Sequence, residues 1–361
     1  MATIYKAFQD DDIVPGDTQT VSQPIWSENM NPMSASFGGS TGLGFFTSSA
    51  QVSQSGDYYV NVFHRNPQST NDASNAVVQF ALAYGNRKGS GSFGDQNTVG
   101  QNENDTPTRA IYSQYKQQLL PPTDTIFSFN NGAGGTDEPD DIMVINVNRA
   151  RFKQKIDPGN WELRITSGSN LTSGTGSYFS FIDDSGQEAT PTINEAGRVF
   201  NIVSGSGAVS HSSVAYGLFY PQHGVLLFNA SRLASELGIP FDSRSASILS
   251  TAAIQPKNAT SASMWISGSS YFAARSEEKI TSTHYFVRVT NKSQNFSNNP
   301  TFVTGALGEF KHTSMLRNPS VYITTIGMYD DNNRLVAVAK LSKPLLKSFN
   351  REALVKVKLD Y

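Results

Sequence analysis

Not one cysteine occurs among the 361 residues. That excludes a disulfide framework, a thiolate metal site and a cysteine nucleophile. It fits a protein made in a reducing cytoplasm that must then persist outside the cell. Charge is scarce too: Asp, Glu, Lys and Arg make up 16% of the chain, and the hydrophobic share of 38% is below the globular norm. A helical enzyme is poorly served by that composition. No run of eighteen apolar residues exists, so no membrane-spanning helix is expected. The opening MATIYKAFQDDDIVPGD lacks the basic start and apolar stretch of a secretory leader. The five histidines, His64, His211, His223, His284 and His312, are scattered. None has a partner at the spacing that lets two imidazoles share a metal.

Gly, Ser, Asn and Thr fill the gap, while aromatics reach 11% with 22 Phe and 14 Tyr. Such a chain can build a core and is not disordered by composition. It suits short strands joined by polar turns. The expected fold is mainly β, with two or more β-sandwich or barrel-like domains, one principal helix and an extended N-terminal arm. Residues 1–40 form the arm, 41–190 a β-rich domain, and 191–361 a second β-rich domain ending in a hairpin and a terminal strand.

The pattern supplies the elements. AVVQFALAY (Ala76 to Tyr84) is a nearly continuous apolar strand. Pro107 at a first helical position and the Pro121-Pro122 stop bracket Ile111, Tyr112, Tyr115 and Leu119 at helical spacing, which predicts a helix over 107–120. Ala215 to Tyr220 and Gly224 to Phe228 read as a hairpin, and Ser231 to Leu237 as a short helix stopped by Gly238. Val321 to Leu341 reads as a second hairpin around Asp330-Asp331-Asn332-Asn333. In Leu354 to Tyr361 the residues Val355, Val357, Leu359 and Tyr361 share one strand face. With the second hairpin, this strand is expected to form the core of a C-terminal domain.

Motifs that could carry chemistry lack their context. Gly89, Gly91 and Gly94 match GxGxxG, but no helix opens on the last glycine. Gly38, Ser40 and Gly42 match GxSxG without the strand-turn-helix of a nucleophile elbow. The acidic clusters, Asp183-Asp184 among them, do not alternate as calcium loops do and read as turns. No catalytic residue, metal ligand or cofactor site is assigned, and no enzyme activity is expected.

The segment Tyr322 to Pro344, with IGMYDDNNRLVAVAKLSKP, resembles a stretch of the type IGLYDxxxxLLAVA…P in tail and baseplate proteins of contractile-tailed bacteriophages. TSTHYFVRVTN, QNFSNNPTFVTG and AYGLFYPQHGVLLFNASRL are similar in character to virion structural proteins of that kind. The resemblance implies a non-enzymatic, multi-copy virion subunit, made in the host cytoplasm and assembled without cofactor. It would sit in the tail or baseplate and mediate subunit assembly or fibre attachment. Its partners would be other virion proteins and copies of itself, with no nucleic acid and no membrane. The alternative is a carbohydrate-binding adhesin or receptor-binding module, then a neck or capsid-associated protein.

Charge suggests where contacts fall. Residues 1–60 carry one lysine against six acids, a net −5, while residues 311–361 carry nine cations against four acids, a net +5. Asp10, Asp11 and Asp12 form the acidic candidate. Arg149 and Arg151, alternating with Lys153 and Lys155, are expected on one face of an extended strand. Lys340, Lys343, Lys347 and Lys356 are expected to flank the terminal strand and meet an acidic neighbour.

Overall fold

The computed structural model describes residues 5–25, 59–63, 77–89, 107–166, 178–186, 192–206, 209–238 and 271–361. The glycines Gly91 and Gly94, the GxSxG segment and His64 lie outside them. The first half holds β1 (Ile13–Pro24), β2 (Tyr59–Phe63), β3 (Val78–Asn86), α1 (Pro107–Leu119), β4 (Phe129–Asn130), β5 (Thr136–Asp137), β6 (Asp141–Val147), β7 (Lys155–Thr166) and β8 (Tyr178–Asp183). The second holds β9 (Thr192–Asn194), β10 (Gly197–Ser206), β11 (Val209–Tyr220), β12 (Val225–Asn229), α2 (Ala230–Leu237), β13 (Tyr271–Val289), β14 (Val303–Thr304), β15 (Glu309–Phe310), β16 (Val321–Tyr329), β17 (Leu335–Lys347) and β18 (Ala353–Asp360). The fold is mainly β, with one large antiparallel sheet, three two-stranded sheets and two α-helices among the described residues.

The large sheet runs β1-β13-β7-β8-β10-β11-β12-β6-β3-β2, with β18 also on β13 and β9 on β10. The segment expected as an arm thus contributes β1. Strands on either side of residue 190 pair directly, β8 with β10 and β6 with β12. The chain instead divides into a large unit, residues 21–278, and a terminal unit, residues 1–20 with 279–361.

The large unit has a core on each sheet face, because successive strand side chains point opposite ways. On β6, Met143, Ile145 and Val147 enter one core while Ile142 and Val144 enter the other. On β12, Leu226 and Phe228 alternate with Val225 and Leu227 in the same way. Helix α1 covers one core with Tyr112, Tyr115 and Leu119, and α2 joins the other with Ala230, Leu233 and Leu237. The Asn229 side chain accepts from Arg232 N–H to start α2, and Gly238 ends it at φ +69°, a conformation that a Cβ disfavours. The sheet curls. Phe80 of β3 and Phe272 of β13 meet edge-on with ring centroids 5.6 Å apart, although their strands are seven places apart in the order. A flat sheet would separate them by about 34 Å.

The terminal unit is built differently. Strand β18 pairs with β13 from Ser282↔Asp360 to Val289↔Ala353. Strands β16 and β17 pair only with each other, as a two-stranded ribbon. The expected joint core of hairpin and terminal strand is therefore not formed: the ribbon makes no ladder with β18, and neither large core contains a residue of this unit. Among its described residues the buried apolar ones are Phe302, Val321 and Ala353. A smaller contact stacks Phe296, Phe302 and Phe310 edge to edge at 5.5 to 6.1 Å.

Candidate interaction surface

Nineteen large apolar side chains are exposed among the described residues, and sixteen of them belong to the terminal unit. They include Tyr5, Phe8, Tyr322, Tyr329, Val338 and Tyr361. Soluble monomers rarely leave so much apolar surface in one region without a partner for it. Alternation explains the ribbon: Val336, Val338 and Lys340 are open, whereas Ala337, Ala339 and Leu341 between them are half-buried. The register then slips, so that Leu341 to Pro344 of β17 face Thr324 alone between the pairs Ile323↔Leu345 and Thr325↔Lys340. This bulge carries Lys343 and Pro344, and neither Pro nor an exposed Lys favours simple edge extension there.

The candidate cations and acids fall in unlike places. Lys340, Lys343 and Lys356 are exposed, and the Lys356 ammonium sits 5.8 Å from the Phe286 ring centroid. Lys347 corrects the sequence reading. Its side chain is buried, and its ammonium donates to the Asn291 carbonyl at 3.0 Å, to Asn295 Oδ1 at 2.7 Å and to the Ser348 carbonyl at 3.2 Å. Burial pushes this ammonium below the ordinary lysine range, with Glu352 acting in the opposite sense. It is an internal brace, not a surface cation. Asp10, Asp11 and Asp12 form a 3-10 turn, in which Asp12 Oδ2 accepts from Gln9 N–H. That turn follows Tyr5, whose ring lies 4.8 Å from that of Tyr329, and Lys6, which donates to the Arg288 carbonyl at 2.7 Å.

The expected four-cation strand face is also corrected. Arg149 to Arg151 form a 3-10 turn capped by Asn148, whose side chain accepts from Ala150 N–H, and β7 starts only at Lys155. Phe152 turns inward, and the Arg149 guanidinium lies 4.5 Å over its ring. Lys153 pairs with Glu278 at 3.1 Å and Lys155 with Glu277 at 2.8 Å. The physical reason is local: an Asn cap and a buried aromatic between the cations outweigh simple alternation.

Arg149 opens on a cleft of about 410 Å3 in the large unit, which Gln118, Asn146, Asn148, Gln222 and His223 also line. Burial, then the charge of Arg149, lowers the His223 pKa below the ordinary histidine range. The cleft offers amide and imidazole hydrogen bonding around one cation, and among the described residues it has no acid in its lining. The adjacent carboxylates of Asp183 and Asp184 serve loops. Asp183 is buried and accepts from Gly159 N–H at 2.8 Å and Ser185 N–H at 2.9 Å. Burial raises its pKa despite those bonds. Asp184 accepts from Asn201 N–H and Nδ2. Among the described residues no three His, Asp or Glu side chains cluster as metal ligands. No helix among them is long and apolar enough to cross a membrane.

Comparison of the chain with family models, with curated proteins and with solved structures finds no match.

Proposed function

We propose that this chain is a non-enzymatic structural subunit of a bacteriophage virion, a tail or baseplate component whose terminal unit mediates assembly. One observation carries the reading: among its described residues the terminal unit buries three apolar side chains and exposes sixteen large ones. A unit of this length needs far more burial to offset its chain entropy. Neighbouring subunits would supply it, as they do for obligate interfaces, which resemble a domain core cut in half. The resemblance of Tyr322 to Pro344 to phage tail proteins falls on the same ribbon. In this reading the curled sheet of the large unit is a barrel-like body, and the N-terminal arm reduces to the residues before β1.

Mass spectrometry of purified virions from cells that produce this chain tests the proposal. The chain should be present at a fixed ratio to the other tail proteins. Its absence from intact particles refutes the reading. A second reading, a glycan-binding module, draws on the polar cleft at Arg149 and His223. Saccharide binding lost on Arg149→Ala, by a chain absent from particles, would replace the first reading with this one.

A further inference from the structure

Among the described residues, one apolar face of the β16–β17 ribbon stays largely exposed. Register places Gly327 opposite Val338, Thr325 opposite Lys340 and, past a bulge, Tyr329 opposite Leu335. Cross-strand partners project to the same face. Gly327 confirms the grouping, since a Cβ there would meet Tyr329 Cε2 at 3.0 Å and Leu335 Cδ1 at 3.2 Å. Tyr329, Leu335 and Val338 are 43%, 54% and 58% exposed, and Ile326, Met328, Ala337 and Ala339 on the other face are half-buried. Tyr5 extends the open patch by stacking on Tyr329.

The charges along the ribbon have a direction. At its tip Asp330 is taken up by Arg334, through Nε at 2.8 Å, and Asp331 forms no ion pair among the described residues. Lys340, opposite Thr325 in the middle of the ribbon, and Lys343, in the bulge beyond it, form no ion pair among the described residues. We infer that this face is covered by the same face of a second copy, the two ribbons crossing antiparallel about a two-fold axis. The tip of one ribbon then lies over the middle of the other, so Asp331 meets Lys340 twice. A parallel arrangement would set like charges together. Tyr5, Tyr329, Leu335, Val336 and Val338, each near half exposed, offer roughly 500 Å2 per copy at about 100 Å2 a side chain, or about 1,000 Å2 in the pair, the lower bound of a specific interface. An isologous contact of this kind satisfies both copies equally. The inference rests on the reading of the terminal unit as an assembly module and names its partner.

Two experiments on the full chain test it. Val338→Cys places a single thiol in a cysteine-free protein, and a short bis-maleimide should join two chains through it. Sedimentation velocity on the wild type should show dimer, with Lys340→Glu or Asp331→Lys each weakening it at least tenfold. The double variant K340E/D331K should regain it, because a two-fold contact restores both pairs. These residues are exposed, so near-ultraviolet circular dichroism should be unchanged in every variant. A wild type that is monomeric at all concentrations, a thiol introduced at position 338 that joins only to a different virion protein, or a double variant that stays monomeric overturns the proposal. If the chain is found in particles without self-crosslinking, this contact is wrong and the assembly reading stands. A dimer formed by a chain absent from particles supports the contact and removes the reading.

Discussion

Replacing Phe181 with Ala should destabilise the large unit severely, while replacing Val338 with Ala should leave the isolated chain almost unchanged. Phe181 has no exposed surface. Its ring centroid lies 4.9 Å from that of Phe179, 5.3 Å from Tyr216 and 5.4 Å from Phe228, the last two edge-on. Truncation removes the transfer free energy of a whole aromatic side chain and leaves a void walled by three other rings. Such changes cost about 3–5 kcal/mol when the surroundings relax only in part. Each lost edge-on pair adds roughly 0.5–1.5 kcal/mol. Three aromatic walls from three different strands cannot collapse together, which places the expected loss in the upper part of that range. Val338 is 58% exposed and lacks a core to leave, so its truncation should fall within about 0.5 kcal/mol. Urea unfolding followed by tryptophan fluorescence measures the first, since Trp161 is buried in the same core as Phe181, and far-ultraviolet circular dichroism, to which the strands of both units contribute, measures the second. A loss below about 1.5 kcal/mol for Phe181→Ala, smaller than burial of the ring alone should supply, would refute the account of that core. A loss of similar size at Val338 would refute the contrast between the units.

Further outcomes follow from single contacts. Gly217→Ala should lower stability by about 1–3 kcal/mol in the same assay, as a Cβ there would sit 2.3 Å from the Leu227 carbonyl oxygen of the neighbouring strand. Asn229→Ala, which removes the acceptor for Arg232 N–H, should cost about 1 kcal/mol. Lys347→Met should cost about 1–3 kcal/mol by stranding three oxygen acceptors. Because folding lowers the Lys347 pKa, the unfolded chain binds that proton more tightly. The wild type should therefore gain stability relative to Lys347→Met as pH rises from the folded pKa towards the ordinary lysine value, and a difference constant across alkaline pH would contradict this. Asp183→Asn carries the opposite sign: burial raises the folded pKa, so the wild-type contribution of this group is fullest in acid and falls as pH rises through that value, read as a shrinking advantage over the Asn variant.

Local chemistry determined the elements. Pro107 and the Pro121-Pro122 stop bound a helix found at Pro107–Leu119, and Gly238 ends the second helix where a left-handed residue is needed. The alternation in Leu354 to Asp360 gives a strand with Val355, Val357 and Leu359 half-buried between exposed neighbours. These are short-range patterns, fixed by backbone sterics and the period of the side chains. Which elements pair was a different matter. Across the boundary expected near residue 190, β6 pairs with β12 more than seventy positions away, and no local signal marks such a pairing. The cationic stretch at Arg149 looked like a strand until Phe152 had somewhere to go. Lys347 read as a surface charge because nothing near it in sequence tells of Asn291 and Asn295, the oxygens that receive its ammonium. Above all, the sequence showed an apolar hairpin, and only the tertiary structure decided that one of its faces stays largely exposed among the described residues. Burial depends on what packs against a side chain, and that depends on the whole chain.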